Sequence, residues 1–356
     1  MLRRPFLRFG GLATLGLGAA AGALLSACGT RQAGGMPDAA VFEAASGRRI
    51  RPGDLIARMA ATPIVLLGER HDNPVHHRFR ADLIGAWTDA ARGRPTAVVF
   101  EHFDREHDAA LRVAQRTGPS VAARATTAPE PLERLLEAAR FDRTVWGWPL
   151  HRPLFEAAAA GGALWIAANF SRASARRPAA DAEPVLTAIV QSARWTDAAQ
   201  RSLEQSLREG HCNLLPERAI GRLVEIQRLR DAALAAPLYD AFERRMILLA
   251  GNGHVRRDYG VPLYLGSFER TALVVGFEEA SAPDATRSPV TAAGDLAALL
   301  GTARADDARA AYDLVVVTNA PARAGDPCDA FRASVSGAAR PDGAVSPAAP
   351  TRTPSR

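Results

Sequence analysis

Six short runs of uninterrupted apolar residues constrain this chain more than any other feature. They are PIVLLG at 63–68, TAVVFE at 96–101, ALWIAAN at 163–169, MILLAG at 246–251, TALVVGF at 271–277 and YDLVVVT at 312–318. A strand with one solvated face alternates apolar and polar side chains. A run that does not alternate is covered on both faces, as in a parallel sheet with helices packed on either side. Helical periodicity fills the intervals: residues 77–90 read as the first crossover helix, after a turn and cap at Asp72, Asn73 and Pro74, and 153–160 as a short helix entering the third run. The expected fold is α/β, a mostly parallel sheet flanked by helices. Two intervals, 104–146 and 182–245, exceed a minimal crossover; their pattern predicts helical insertions that form a smaller cap subdomain beside the sheet.

In open parallel sheets, ligands bind beyond the carboxyl ends of the strands, so the residues that close each run matter most. The first run ends in Gly68, Glu69, Arg70 and His71, the second in Glu101 and His102, the third in Asn169, and the fourth in GNGHVRRDYG from Gly251. Glycines there let the backbone turn sharply and approach a ligand closely. A Gly-x-x-His pattern occurs twice, ending at His71 and at His254, each time behind a buried strand. One such pattern carries no information. Two in matching topological positions direct Glu69, His71, Glu101 and His254 toward one cleft. His76, His77, His102 and His107 are read as loop, cap or solvent-facing residues, the commoner role of a histidine after a strand. The chain contains no His-Glu-x-x-His helix, no Gly-x-Ser-x-Gly elbow, no phosphate loop, and no Gly-x-Gly-x-x-Gly after the first strand.

The two ends read differently. Residues 1–27 have a basic start, a Gly/Ala/Leu stretch too short and weak to span a membrane, and small residues before a cysteine. RRPFLR, from Arg3 to Arg8, resembles a twin-arginine export signal, and LSAC resembles a lipobox. The expectation is a periplasm-facing lipoprotein, acylated on Cys28 and anchored to the membrane without spanning it. Gly29 in the next position favours the outer membrane. Residues 28–40 read as a tether, 41–320 as the α/β domain, and 321–356 as a disordered tail with too few large apolar residues to offset its ordering entropy. One disulfide between Cys212 and Cys328 suits an oxidising compartment. The spacing supports neither a zinc site nor a redox pair, and with Cys328 in the tail two free thiols are expected. All 44 basic residues are arginine, set against 38 acids and interleaved with them. No basic stripe forms, so nucleic acid is not an expected partner.

The segments VLLGERHDNPVHH, VVFEHFDR, WGWPLHRPLFEAA, LWIAANFSR, HCNLLPE, VEIQRLRDAALA and LLAGNGHVRRDYGVPLYL follow one another between about residues 62 and 265. In combination they resemble the ChaN family of haem-binding lipoproteins, within a superfamily that also holds Tiki proteases, TraB proteins and erythromycin esterases. The resemblance implies an α/β domain with a smaller helical one. It also implies a non-enzymatic haem-binding role in iron uptake, an outer-membrane haem receptor as partner, a haem-bridged homodimer, and a tyrosine as axial iron ligand. The chain departs from that pattern where YRPL is expected: it has HRPL, with His151 in the tyrosine position. Imidazole is itself a haem-iron ligand, which makes His151 the expected one; His211, Tyr259 and Tyr264 are weaker candidates. Arg152, Arg172, Arg256 and Arg257 are candidates to pair with haem propionates, and Trp146, Trp148 and Phe155 for apolar wall or core. Around haem the expected set is Gly68, Glu69, His71, Glu101, His151, Arg152, Asn169, Gly251 and His254. Two other functions compete. In a divalent-metal-dependent hydrolase, His71 and His254 would bind zinc, manganese or cobalt, with Glu69 and Glu101 as ligand or general base. A cofactor-free scaffold would use the same cleft to bind a protein partner.

Overall fold

The computed structural model describes residues 39–91, 93–117, 131–266, 272–281 and 295–321, with 326, 328, 329 and 331–333; the leader and most of the expected tail lie outside the described residues. Eight strands form one sheet: β1 (Ala39–Glu43), β2 (Arg49–Ile50), β3 (Ile64–Leu67), β4 (Thr96–Asp104), β5 (Leu164–Asn169), β6 (Arg245–Leu249), β7 (Leu273–Glu279) and β8 (Leu314–Thr318). Their order is β2-β1-β8-β7-β3-β6-β4-β5. The six apolar runs are β3 to β8, and every pairing among them is parallel. β1 pairs antiparallel with both β8 and β2. That edge hairpin corrects the sequence reading, because β1 begins at Ala39, inside the stretch assigned to the tether. Its sequence AAVFE opens on two alanines, which carry little strand propensity of their own. The free edge of β8 supplies the pairing.

The chain steps from β3 out to β4 and β5, returns with β6 between β3 and β4, then places β7 and β8 on the far side of β3. A crevice is expected at such a reversal, beyond the carboxyl ends of the strands involved. Both faces of the sheet are covered. Ile64 and Leu66 of β3 pack with Ala232 to Ala235 of the helix Glu217–Ala235. On the other face Phe100, Phe103 and Trp165 meet Phe155 of the helix Arg152–Ala160. Each fully buried aliphatic or aromatic side chain of this kind contributes about 1.5–3 kcal/mol.

Local chemistry fixes the crossover that follows β3. The Asn73 side chain accepts hydrogen bonds from Val75 N at 2.9 Å and His76 N at 3.3 Å, and Pro74 takes the first position of the helix Pro74–Ala90. This start turns His76, His77 and Arg80 inward, all fully buried. Between β5 and β6, the helices Pro184–Ser192, Asp197–Gly210 and Glu217–Ala235 form the helical part beside the sheet. Ala199, Leu203, Ile220, Val224 and Tyr259 make its own apolar cluster. At the turn after Gly210, Cys212 is disulfide-bonded to Cys328, with Cα atoms 5.6 Å apart. The two cysteines are therefore not free thiols. Phe331 also packs edge-on against His211, so this part of the expected tail is held against the helices. Among the described residues, no helix is long and apolar enough to cross a membrane.

Candidate functional site

Glu69, two residues past β3, is the hub of the site and is buried. Its Oε2 forms an ion pair with Arg80, whose Nη2 also donates to the Leu67 carbonyl at 3.3 Å. Burial pushes the Arg80 guanidinium down to about 9. Four imidazoles surround the carboxylate. His71 Nδ1 donates to Glu69 Oε1 at 2.6 Å, and His77 Nδ1 lies 3.2 Å from Oε2. His102 Nε2 and His151 Nε2 stand 3.4 and 3.7 Å from Oε1. The His151 ring is 4.1 Å from that of His77 and 4.7 Å from that of His102, centroid to centroid. Burial disfavours the charged form in all three deep imidazoles. It pushes His77 down to about 4, and His102 and His151 well below the usual histidine range. His77 Nε2 donates to the His71 carbonyl at 2.9 Å, which leaves Nδ1 as the bare nitrogen facing Glu69.

A second charged chain crosses the same strand ends. Glu101, in β4, accepts from Gly251 N at 2.6 Å and faces His254 Nε2 at 3.3 Å. On its other side His254 Nδ1 donates to Asp231 Oδ1 at 2.6 Å. Burial alone would lower the His254 pKa, but the two flanking carboxylates raise it to about 10. Burial likewise opposes charge on Glu101, while His254, His71 and the Gly251 N–H hold its carboxyl well below the usual range. The two flanking carboxylates thus favour the charged form of His254.

A cavity of about 990 Å³ opens at these strand ends, with His71, Glu101, Trp146, Asn169, Phe170 and Arg230 on its wall. The His71 side chain is 46% exposed there. Trp146 packs edge-on to His71 at 5.2 Å and lies 4.6 Å from His102 and 5.7 Å from His151, ring to ring. It separates the deep imidazoles from the cavity. His151, expected as the iron ligand, is fully buried and off the cavity wall, because the turn before Arg152 drives its ring under Trp146.

The structure sorts the other expected residues by their partners. Glu69, His71, Glu101 and His254 do come together, linked in sequence by 2.6, 3.9 and 3.3 Å separations. Asn169 is on the wall and donates to Asp104 Oδ1 at 2.9 Å. A β-carbon on Gly68 would stand 2.2 Å from Asn252 Oδ1, and one on Gly251 would stand 2.8 Å from His71 Nε2. What approaches these glycines is the protein's own side chains. Of the four arginines expected at propionates, Arg172 lines the cavity. Arg152 pairs with Glu156, Arg256 with Asp258 and Asp307, and Arg257 with Asp313, all away from it. Trp148 and Phe155 pack in the aromatic core, and Tyr259 bonds to Ser206. His211 donates to the Leu207 carbonyl, and Tyr264 is buried in the main core. His76 is structural, bonded to Arg70 N and Thr318 Oγ1, while His107 reaches the cavity wall.

His77, His102, Arg80 and Asp231 are the residues sequence reasoning missed. A signal existed for two of them. His102 follows Phe100 by two positions, the period of one strand face, and Asp231 interrupts the apolar end of a helix where a carboxylate must find a partner.

The family model of haem-binding uptake proteins, Tiki superfamily, ChaN, matches residues 55–265. Among solved structures, ChaN of Campylobacter jejuni, described for cofacial haem binding, shares the fold with a TM-score of 0.58 at 19% identity, over 80% of this chain and 98% of that one. An erythromycin esterase in its open conformation gives 0.39 at 13% identity, over 77% and 94%. The type III effector HopBA1 gives 0.38 at 13%, over 75% and 92%. No curated protein matches the chain.

Proposed function

The chain belongs to the ChaN family of the Tiki superfamily, and on that premise we propose that it binds haem in the cavity at the strand ends, with His71 facing the iron. The observation that carries this reading is the His71 imidazole. Its Nδ1 is tied to the buried Glu69 carboxylate at 2.6 Å, while its Nε2 makes no hydrogen bond among the described residues. A carboxylate behind a ligating histidine fixes the tautomer and ring orientation and raises the basicity of the other nitrogen. The cavity fits the cofactor in kind. About 990 Å³ is at the upper end of ordinary ligand sites, Trp146, Leu150, Phe170 and Leu229 supply apolar wall, and Arg172 and Arg230 supply cations for carboxylates. Bound haem would supply an iron centre; the protein's own part is to hold the macrocycle, orient one imidazole, and limit water access.

The same reading includes the chain's location. Acylation at Cys28 would anchor it, periplasm-facing, at the outer membrane, where it would exchange haem with a receptor as part of iron uptake. The Campylobacter relative binds haem cofacially; a second copy of this chain, meeting the first across two bound haems, is the corresponding assembly. Titration of the purified chain with haem tests the binding reading. The expected result is a Soret band that saturates. His71→Ala should shift that band and weaken binding at least tenfold, about 1.4 kcal/mol. His151→Phe should leave the band in place; a shift there would return the iron to His151. Absence of any Soret band in the unaltered chain would end the haem reading.

A further inference from the structure

We propose that Glu69, His77, His102 and His151 form a closed site for one divalent transition-metal ion of the zinc class, separate from the cavity. The first observation is polar dissatisfaction. Both ring nitrogens of His102 and of His151, and Nδ1 of His77, are buried without a hydrogen-bond partner. Buried polar atoms are nearly always satisfied, and three of these nitrogens, His77 Nδ1, His102 Nε2 and His151 Nε2, stand 3.2, 3.4 and 3.7 Å from one carboxylate, an arrangement that calls for a cation or bridging group. The orientation of His77 sharpens the point. Its Nε2–H is held by the His71 carbonyl, so its bare Nδ1 lone pair faces a carboxylate oxygen at 3.2 Å. Arg80 sets a positive charge at that oxygen, Oε2, while the His102 and His151 nitrogens face Oε1.

The second observation is spacing. Metal–nitrogen and metal–carboxylate bonds to zinc are about 2.0–2.1 Å, so two ligand atoms of a tetrahedral site lie about 3.4 Å apart. Glu69 Oε1 is 3.4 Å from His102 Nε2 and 3.7 Å from His151 Nε2, and ligand atoms of these three residues all lie within 4.8 Å of one another. Neutral imidazoles with a single carboxylate suit zinc, or cobalt in its place, better than calcium or magnesium. Arg80 already occupies Oε2 of Glu69, so the ion would bind Oε1 beside the His71 Nδ1–H bond; the shared carboxylate limits how tightly the ion is held. Trp146 closes the site from the cavity, so its role is to fasten β3, β4 and the turn at His151 together, not to activate water.

The test uses the full chain, stripped with chelator and then given Co²⁺ alone, with no haem present. The expected result is one equivalent retained through gel filtration, with the visible absorption of four-coordinate cobalt, displaced by Zn²⁺. His102→Gln and His151→Gln should each weaken retention at least tenfold, and His107→Ala should not. X-ray absorption of the zinc-loaded, unaltered chain reads the site without any variant; it should show imidazole scattering at about 2.0 Å. Failure to retain an equivalent, undiminished retention in both glutamine variants, or an oxygen-only shell would overturn the proposal. The cobalt readouts need no haem and the Soret titration needs no divalent ion, so either reading can fail while the other stands.

Discussion

Gly251 passes so close to the His71 ring that a β-carbon built on it would stand 2.8 Å from Nε2. Its φ of −61° is open to any residue, so the glycine is present for space and not for backbone freedom. Gly251→Ala should therefore fold, lose about 1–2 kcal/mol at most, and push the imidazole off its present line. The expected readout is haem affinity lowered roughly tenfold with a small shift in melting temperature. Unchanged affinity would show that the ring orientation does not matter to binding.

Removing the carboxylate at the hub should cost much more. Glu69→Gln leaves Arg80 buried without its counter-charge, and breaking such a pair costs about 3–5 kcal/mol. Urea unfolding measures it. Adding Arg80→Met to Glu69→Gln should recover part of the loss, because the stranded charge goes with it; a further loss would show that Arg80 is held by other contacts.

The two kinds of histidine give stability opposite slopes with pH. His254, raised to about 10 by Glu101 and Asp231, contributes stability that is complete below its unfolded value near 6.5 and is lost as pH rises from there to about 10. His77, lowered to about 4 by burial, contributes stability that is present above 6.5 and lost as pH falls toward 4. Unfolding free energy should therefore peak near pH 6 to 7, roughly between those limbs. His254→Gln should cost about 3 kcal/mol at the peak and flatten the alkaline limb. An alkaline limb unchanged by that substitution would reassign it to another group.

The leader is tested by fractionation. Cys28→Ala should release the chain from the membrane fraction and remove the lipid mass shift of the unaltered protein. Membrane association that survives the substitution would set aside the anchor at Cys28.

Much of the fold was legible because a parallel sheet covered on both faces leaves an unambiguous mark, the non-alternating run. β3 to β8 were found this way, and with them the carboxyl-end location of Glu69, His71 and Glu101. β1 was not, since AAVFE becomes a strand only by pairing with the edge of β8. The inner histidines failed for a related reason. His77 and His102 sit one helix turn and one strand length from Glu69, and only the closing of β3, β4 and the helix Pro74–Ala90 brings them onto one carboxylate. His151 shows the limit of reading by position: its place in HRPL was clear, but that Trp146 covers it is a property of the packing.

The bond between Cys212 and Cys328 closes a covalent ring across a sequence separation of 116 residues. β6, β7 and β8 belong to that ring, while β3, β4 and β5 do not. Yet β6 is wedged between β3 and β4. The ring is thus stitched into the sheet rather than hung from it. A protease that cuts the chain once inside the ring would leave both fragments joined by sulfur as well as by strand pairing. Such a nicked molecule would migrate as one band on a denaturing gel, and as two only after reduction.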